Sequence, residues 1–249
     1  MNMKILVCIS KTPDTTSKIA FTEGNTKFDE NGVQWIINPY DEWYSLVKAI
    51  VLKEKDPSIL IHLITVGGAD TEPIIRKALA LGGDEAIRVN NTSNDSMVVA
   101  QEIAAIAKEG AYDLILTGKE TIDYNSASIG SMLCALLDTT FIPNAIALEV
   151  NGTIAIVKRE IEGGEESCET SLPIILSCQK GMAEQRIPNM RGIMAARTKP
   201  LKVVEASIHN ATTSIKKFDT PPAKSGVKLV EAGNMDEMVR LLKEEAKVI

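Results

Sequence analysis

Histidine and aromatic side chains are scarce in this chain, which has two histidines and only 4% Phe, Trp and Tyr together. Neither histidine stands near a nucleophile or a carboxylate pair in sequence, so hydrolytic triads have little to build on. His62, alone among aliphatic residues, reads as a satisfied core or edge residue without a role. Four cysteines, Cys8, Cys134, Cys168 and Cys178, lie far apart with no C-x-x-C pair, which argues against a structural metal. Cys8 and Cys178 sit inside apolar runs and are expected to be small buried hydrophobes. A secretory h-region is missing from the start, so disulfides are not expected and a bacterial cytoplasmic setting is. No apolar run approaches the roughly 20 residues of a membrane helix. Neither Lys nor Arg forms a long block, and the net charge is −6 with mixed signs, which argues against general affinity for nucleic acid or anionic lipid. The glycine patterns G-x-G-x-x-G, G-x-x-x-x-G-K-[ST] and G-x-S-x-G are all missing. That disfavours a nicotinamide dehydrogenase, a P-loop NTPase and an α/β-hydrolase elbow.

What is present is a repeated alternation of short aliphatic runs and amphipathic segments. Lys4 to Ile9 reads as a central strand buried on both faces, broken by Ser10 to Asp14. Phe21 to Trp35 carries Gly24-Asn25 and Asn31-Gly32 turn signals and predicts a small hairpin excursion. Asn38-Pro39 predicts a helix start, with Asn38 as the cap and the acids Asp41 and Glu42 in the first turn. Trp43, Leu46, Val47, Ile50 and Val51 then follow at helical spacing. Ile59 to Val66 predicts a second parallel strand, Thr71 to Leu79 a helix closed by Gly82-Gly83, and Ala86 to Val89 a third strand. A helix capped by Asn94 or Asp95 is expected to run to Gly110.

The fourth unit, Leu114 to Leu137, is the most informative. Leu114-Ile115-Leu116 stops at Thr117-Gly118, a polar loop carries Lys119, Glu120, Asp123 and Asn125, and Ile129, Met132, Leu133, Leu136 and Leu137 recur at helical spacing. That order places backbone N–H groups and a positive helix end at the carboxyl edge of a sheet, where phosphates bind. An ordinary strand-to-helix connection would leave the same trace.

After Thr140 the texture changes. Asn144 to Val150 and Thr153 to Glu160, joined by Asn151-Gly152, predict an antiparallel hairpin, and Gly163-Gly164 a further turn before a strand through Cys168. Leu172 to Cys178 is another apolar strand. Gly181 to Pro200 has no clear period and mixes Arg186, Arg191, Arg197 and Lys199 with Ile187, Met190, Ile193 and Met194, which suits either an interaction loop or a packed loop. The fold class expected is α/β, a doubly wound, mostly parallel sheet of the adenine-nucleotide-binding type, with an antiparallel hairpin extension and a C-terminal arm. The division expected is a nucleotide-binding domain over residues 1–200 and an extended arm over 201–249. The arm carries one amphipathic helix, roughly Met235 to Lys247, that packs on another body.

Several segments together resemble landmarks of the electron transfer flavoprotein beta subunit, in that family's order. These are KILVCISKTPD at the amino end, INPYDEW at 37–43, IRKALALGGDEAIRV at 75–89, LTGKETID at 116–123, VKREIEGG at 157–164 followed by Glu166 and LPII at 172–175, and RIPNMRGIMAARTKPL at 186–201. The resemblance implies an electron carrier without catalytic residues of its own. It would form a heterodimer with an alpha subunit that binds most of a redox-active FAD, while this chain holds AMP. Electrons would come from flavin dehydrogenases and pass to a quinone-linked acceptor. By the same resemblance the AMP contacts fall on Cys8, Asn38, Asp41, Val66, Gly118, Asp123, Asn125, Ser126, Ala127, Ser128 and Ile129. The phosphate would lie against residues 126–129. Tyr40 matches an aromatic position near the flavin, Met190 the apolar anchor that docks dehydrogenases, and Glu160 an acid that pairs with an alpha-subunit Arg.

The match is not complete. Cys168 stands where the family generally has an aliphatic residue, and the loop reads IDYNSASIG. Relatives that bind a second FAD and bifurcate electrons have a loop resembling IDGDTAQVG. Here Tyr124 replaces the Gly, Asn125 the acid and Ser128 the Gln, which favours AMP over a second FAD. A different class of reading is a self-sufficient ATP-binding protein akin to the universal stress fold.

Overall fold

The computed structural model describes residues 3–223 and 226–249. Strand β1 (Lys4–Cys8) is followed by the short β2 (Lys11–Pro13), a two-residue hairpin of β3 (Phe21–Thr22) and β4 (Lys27–Phe28), and β5 (Trp35–Ile37), which pairs back on β2. The excursion is thus real, but Trp35 belongs to the β2–β5 pair and not to the hairpin. Four β-α units follow from β1: α1 (Asp41–Lys55), β6 (Leu60–Val66), α2 (Glu72–Leu81), β7 (Glu85–Asn90), α3 (Ser96–Gly110), β8 (Leu114–Gly118) and α4 (Ile129–Leu137). The chain then runs through β9 (Thr140–Asn151), β10 (Ile154–Ile161), β11 (Gly164–Ser171) and β12 (Ile174–Cys178). Helix α5 (Met190–Ala196) and strand β13 (Leu201–Glu205) precede α6 (Met235–Arg240), which continues as a π-helical turn over Leu241–Ala246.

One nine-stranded sheet organises these elements, in the order β11-β10-β9-β12-β8-β1-β6-β7-β13. From β9 to β13 all neighbours are parallel, and β10 and β11 add an antiparallel edge. The two faces are built by alternation along β1. Ile5 and Val7 pack with Leu46, Ile50, Ile75 and Leu79 of α1 and α2. Leu6 and Cys8 pack with Ile103, Ala107 and Leu133 of α3 and α4. The doubly wound, mostly parallel sheet expected from the sequence is therefore the observed one. Cys8 and Cys178 are buried, and all four cysteines are free. Cys168 lies opposite Val157 on the hairpin face and packs, half-buried, against the α1 side of the core.

Three expectations need correction. Asn38 does not cap α1: the residue before the helix is Tyr40, with no side-chain cap. Leu201–Glu205, expected to open the arm, pairs with β7 and extends the sheet by one edge strand. The terminal segment is α-helical only to Arg240, and its six α-helical residues bury no side chain within this chain. Its Met235, Met238 and Val239 stand exposed.

Candidate functional site

Because β6 lies on one side of β1 and β8 on the other, the strand order reverses at β1, and side chains beyond the carboxyl ends of these strands surround a crevice. Its volume is about 1260 Å³. Cys8, Val66, Gly118, Asp123, Ser126, Ala127, Ser128 and Ile129 all line it, brought together from three strands and the start of α4. Asn38, Asp41 and Asn125 stand behind or beside this lining. Tyr40, Met190 and Glu160 lie outside it.

The loop after β8 is shaped from below by the entrance to α1. Asn38 is fully buried; its Nδ2 donates to the Glu120 carbonyl at 2.9 Å and its Oδ1 accepts from the Ile122 N–H at 3.1 Å. Asp41 Oδ2 accepts from the Glu120 N–H at 3.2 Å. Asn38 is thus committed to a loop more than eighty positions away, which is why it is not free to cap its own helix. The chain turns into α1 instead through Tyr40, with φ 64° and ψ −91°, and the Asp41 N–H donates to the Pro39 carbonyl at 3.0 Å. This is a γ-turn centred on a bulky residue, a strained arrangement held by the buried asparagine beside it.

Gly118 is required by the same packing. A Cβ there would lie 2.8 Å from Glu42 Cγ and 3.0 Å from Asp41 Cβ. Glu42 itself, at 6% exposure, forms part of the crevice floor. It accepts from the Ser10 N–H at 2.6 Å and from the Ser10 hydroxyl. Burial pushes its carboxyl up to about 8 against those hydrogen bonds, with Asp123 and Asp41 adding to the rise. Burial, reinforced by Glu42, likewise raises the Cys8 thiol, so Cys8 stays a neutral packing residue. Asp41 is also raised, again chiefly by burial.

The positively charged rim is small. Lys11 Nζ sits 3.8 Å from the centre of the Trp35 ring and pairs with Asp70, while Lys119 lies 3.8 Å from Glu120. Helix α4 begins at Ser128 with no side-chain cap, and the loop before it turns twice through positive φ, at Asn125 (51°) and Ala127 (48°). Its first N–H groups, at a helix start that borders the crevice, therefore have no side-chain cap.

A second site is an exposed apolar knuckle. Ile187 is 86%, Met190 73% and Met194 55% exposed. The segment that carries them, which showed no period in the sequence, is held down at several points. The Trp43 indole donates to the Arg186 carbonyl at 3.0 Å, and Arg186 makes a two-pronged contact with Glu54. Gly192 lets α5 lie directly on α2, since a Cβ there would be 2.3 Å from the Ala80 carbonyl. Glu160, exposed on β10, accepts from the Gln179 amide.

The sequence is similar to known proteins along its length. A family model for the electron transfer flavoprotein domain matches residues 25–209. The chain is 38% identical to the electron transfer flavoprotein subunit beta of Bacillus subtilis, over 99% of this chain and all of that one. The corresponding Syntrophomonas wolfei subunit is 36% identical over 92% of this chain and 90% of its own length.

This chain belongs to the electron transfer flavoprotein beta-subunit family.

Its role is therefore electron transfer as part of a flavoprotein, and the family membership displaces the universal-stress alternative. The caffeyl-CoA reductase-Etf complex subunit CarD of Acetobacterium woodii is 30% identical, over 98% of both chains. Sequence reasoning missed Glu42 as part of the crevice, although a carboxylate in the first turn of a helix that starts beside the Ser10 loop was visible. Ile187, named with Met190 in a segment that suited either an interaction loop or a packed loop, stands exposed beside it.

Proposed function

We propose that the chain is the beta subunit of a heterodimeric electron transfer flavoprotein and binds AMP as a structural ligand in the crevice at the strand-order reversal. The observation that carries this reading is the convergence of Cys8, Val66, Gly118, Asp123 and residues 126–129, the last at the uncapped start of α4, on one crevice. Free N–H groups at that helix start suit a phosphate. The close approach of α1 that Gly118 permits fixes the loop that borders the crevice. Asn38, Asp41 and Asn125 set the loop's shape, and the chain needs no catalytic side chain of its own.

FAD, bound mostly by the alpha subunit, supplies the redox chemistry of the complex. This chain's residues orient the partners. Tyr40, exposed on its strained turn, faces the flavin side; Glu160 pairs with the alpha subunit; and Met190, with Ile187 and Met194 around it, docks flavin dehydrogenases before electrons pass to a quinone-linked acceptor. The arm beyond β13, with its exposed Met235, Met238 and Val239, packs on the alpha subunit.

A second reading places FAD in the crevice in place of AMP. One observation favours it: the volume, about 1260 Å³, exceeds the roughly 300–1,000 Å³ of ordinary ligand pockets. Against it stand Tyr124, Asn125 and Ser128 in the loop. Denaturing the purified heterodimer and quantifying released nucleotides decides the matter. One AMP and one FAD are expected; two FAD and no AMP would overturn the AMP assignment.

A further inference from the structure

The crevice has an outer wall that the sheet does not supply. Beyond β13 the chain crosses back over the carboxyl edge, and Thr213, Ser214, Ile215 and Phe218 line the same space as Gly118 and Ser128. The crossing is fastened at two ends. At one, Asp95 Oδ2 accepts from the N–H groups of Thr212 (2.9 Å) and Thr213 (2.6 Å) and from their hydroxyls (3.0 and 2.7 Å). Oδ1 of the same carboxylate caps α3 through Met97 and Val98. At the other end the Phe218 ring lies on Phe21, 4.7 Å between centres and 4° between planes, and the Phe218 N–H donates to the Asn25 carbonyl at 2.7 Å.

Between these fastenings the segment is exposed on its outer side, and even Phe218 is only half-buried. None of its side chains belongs to the hydrophobic core. The opposite wall, by contrast, is the sheet edge itself. A segment held by a few polar contacts and one ring stack opens by local unfolding far below the cost of opening the floor.

We infer that residues 212–218 form a removable wall over the crevice, latched at Asp95 and Phe21, and that an adenine nucleotide exchanges only when this wall lifts. The inference rests on the crevice being a nucleotide site. It separates two roles within one carboxylate: Oδ1 belongs to the fold, and Oδ2 to the latch.

The test uses the full heterodimer loaded with 1,N6-etheno-AMP and chased with unlabelled AMP, with uptake measured in the reverse direction. Thr212→Val with Thr213→Val removes both hydroxyl donors, and Phe218→Ala removes the stack. Each is expected to accelerate exchange at least about tenfold, in both directions, because a gate limits uptake as well as release. Thr212→Ser with Thr213→Ser, and Phe218→Tyr, should restore wild-type rates. Unchanged rates with the nucleotide still bound would overturn the inference, as would faster release with unchanged uptake, which marks a lost contact and not a gate. If the threonine variant fails to assemble, Phe218→Ala decides alone. A wild-type heterodimer that holds no adenine nucleotide besides the alpha subunit's FAD would overturn the crevice reading itself, and the gate with it.

Discussion

Arg76 and Lys199 cap each other's helices. The Arg76 guanidinium, on α2, donates to the carbonyls of Ala196 (2.8 Å) and Lys199 (2.7 Å) just past α5. The Lys199 ammonium returns across the interface to the carbonyls of Leu79 (2.9 Å) and Gly83 (2.5 Å) at the end of α2. Each cation sits where a helix leaves its last carbonyls unpaired and its dipole negative. The exchange fixes α5, and with it the apolar knuckle, on the body of the domain.

Arg76→Ala should therefore destabilise the chain by about 1–3 kcal/mol, since it strands two carbonyls. The denaturation midpoint of the heterodimer checks this. Arg76→Lys should recover only part of the loss, because both bonds come from the terminal Nη1 and the shorter lysine side chain does not carry its ammonium as far.

Met190→Ala and Ile187→Ala should leave the midpoint and the FAD content unchanged while raising the KM for a dehydrogenase partner several-fold, as expected for exposed apolar anchors. Steady-state kinetics at subsaturating dehydrogenase reads this. An unaltered KM in both variants would remove the knuckle from the docking surface.

Gly118→Ala should cost about 1–3 kcal/mol through overpacking and lower the bound nucleotide. The added methyl meets Glu42 Cγ at 2.8 Å and the Asp41 Cβ at 3.0 Å, and neither belongs to a freely moving side-chain end. Nucleotide content per heterodimer and the melting temperature should fall together, by linkage. Asp123→Ala, at the crevice lip, should lower nucleotide content with a smaller change in the unliganded midpoint.

The Glu42 carboxyl supplies a pH signature. Its value is raised from 4.5 to about 8, chiefly by burial. The folded chain thus keeps a proton that the unfolded chain releases. The contribution of this group is complete below about 4.5 and is lost as pH rises to about 8, beyond which it changes no further. Glu42→Gln cannot titrate and keeps both partners on Ser10. Wild type should lose stability relative to this variant across that window, and urea midpoints of the two at a series of pH values should diverge. Parallel curves would show that Glu42 is ionised throughout.

Much of this architecture is legible in the sequence, and the exceptions share a cause. Val7 and Leu116 stand in near-continuous aliphatic runs, and Leu63 in one broken only by His62 and Thr65, because strands buried on both faces leave little room for polar alternation. Trp43, Leu46, Val47 and Ile50 announce α1 by spacing alone. Asn38 reads as a cap because the position before a proline and two acids suits one, whereas its true partners, Glu120 and Ile122, lie far along the chain. Helix α5, with seven residues, is too short to establish a period. Strand β13 alternates weakly because it sits at an edge, with Val203 exposed. The latch was invisible for the same reason as the asparagine. Asp95 looked like a helix cap, which it is, and nothing near it in sequence points to Thr212 and Thr213.

The pairing of β13 with β7 also sets an order in time. Asn90 and Glu205, whose side chains meet at 3.3 Å, are 115 positions apart, so the last strand can dock only after most of the chain has been made. During synthesis the floor of the crevice, through β8 and α4, emerges about 80 residues before Phe218, several seconds at roughly 5–20 residues per second. The residues of the crevice floor are thus made before those of the wall, and the wall closes only on a floor already synthesised.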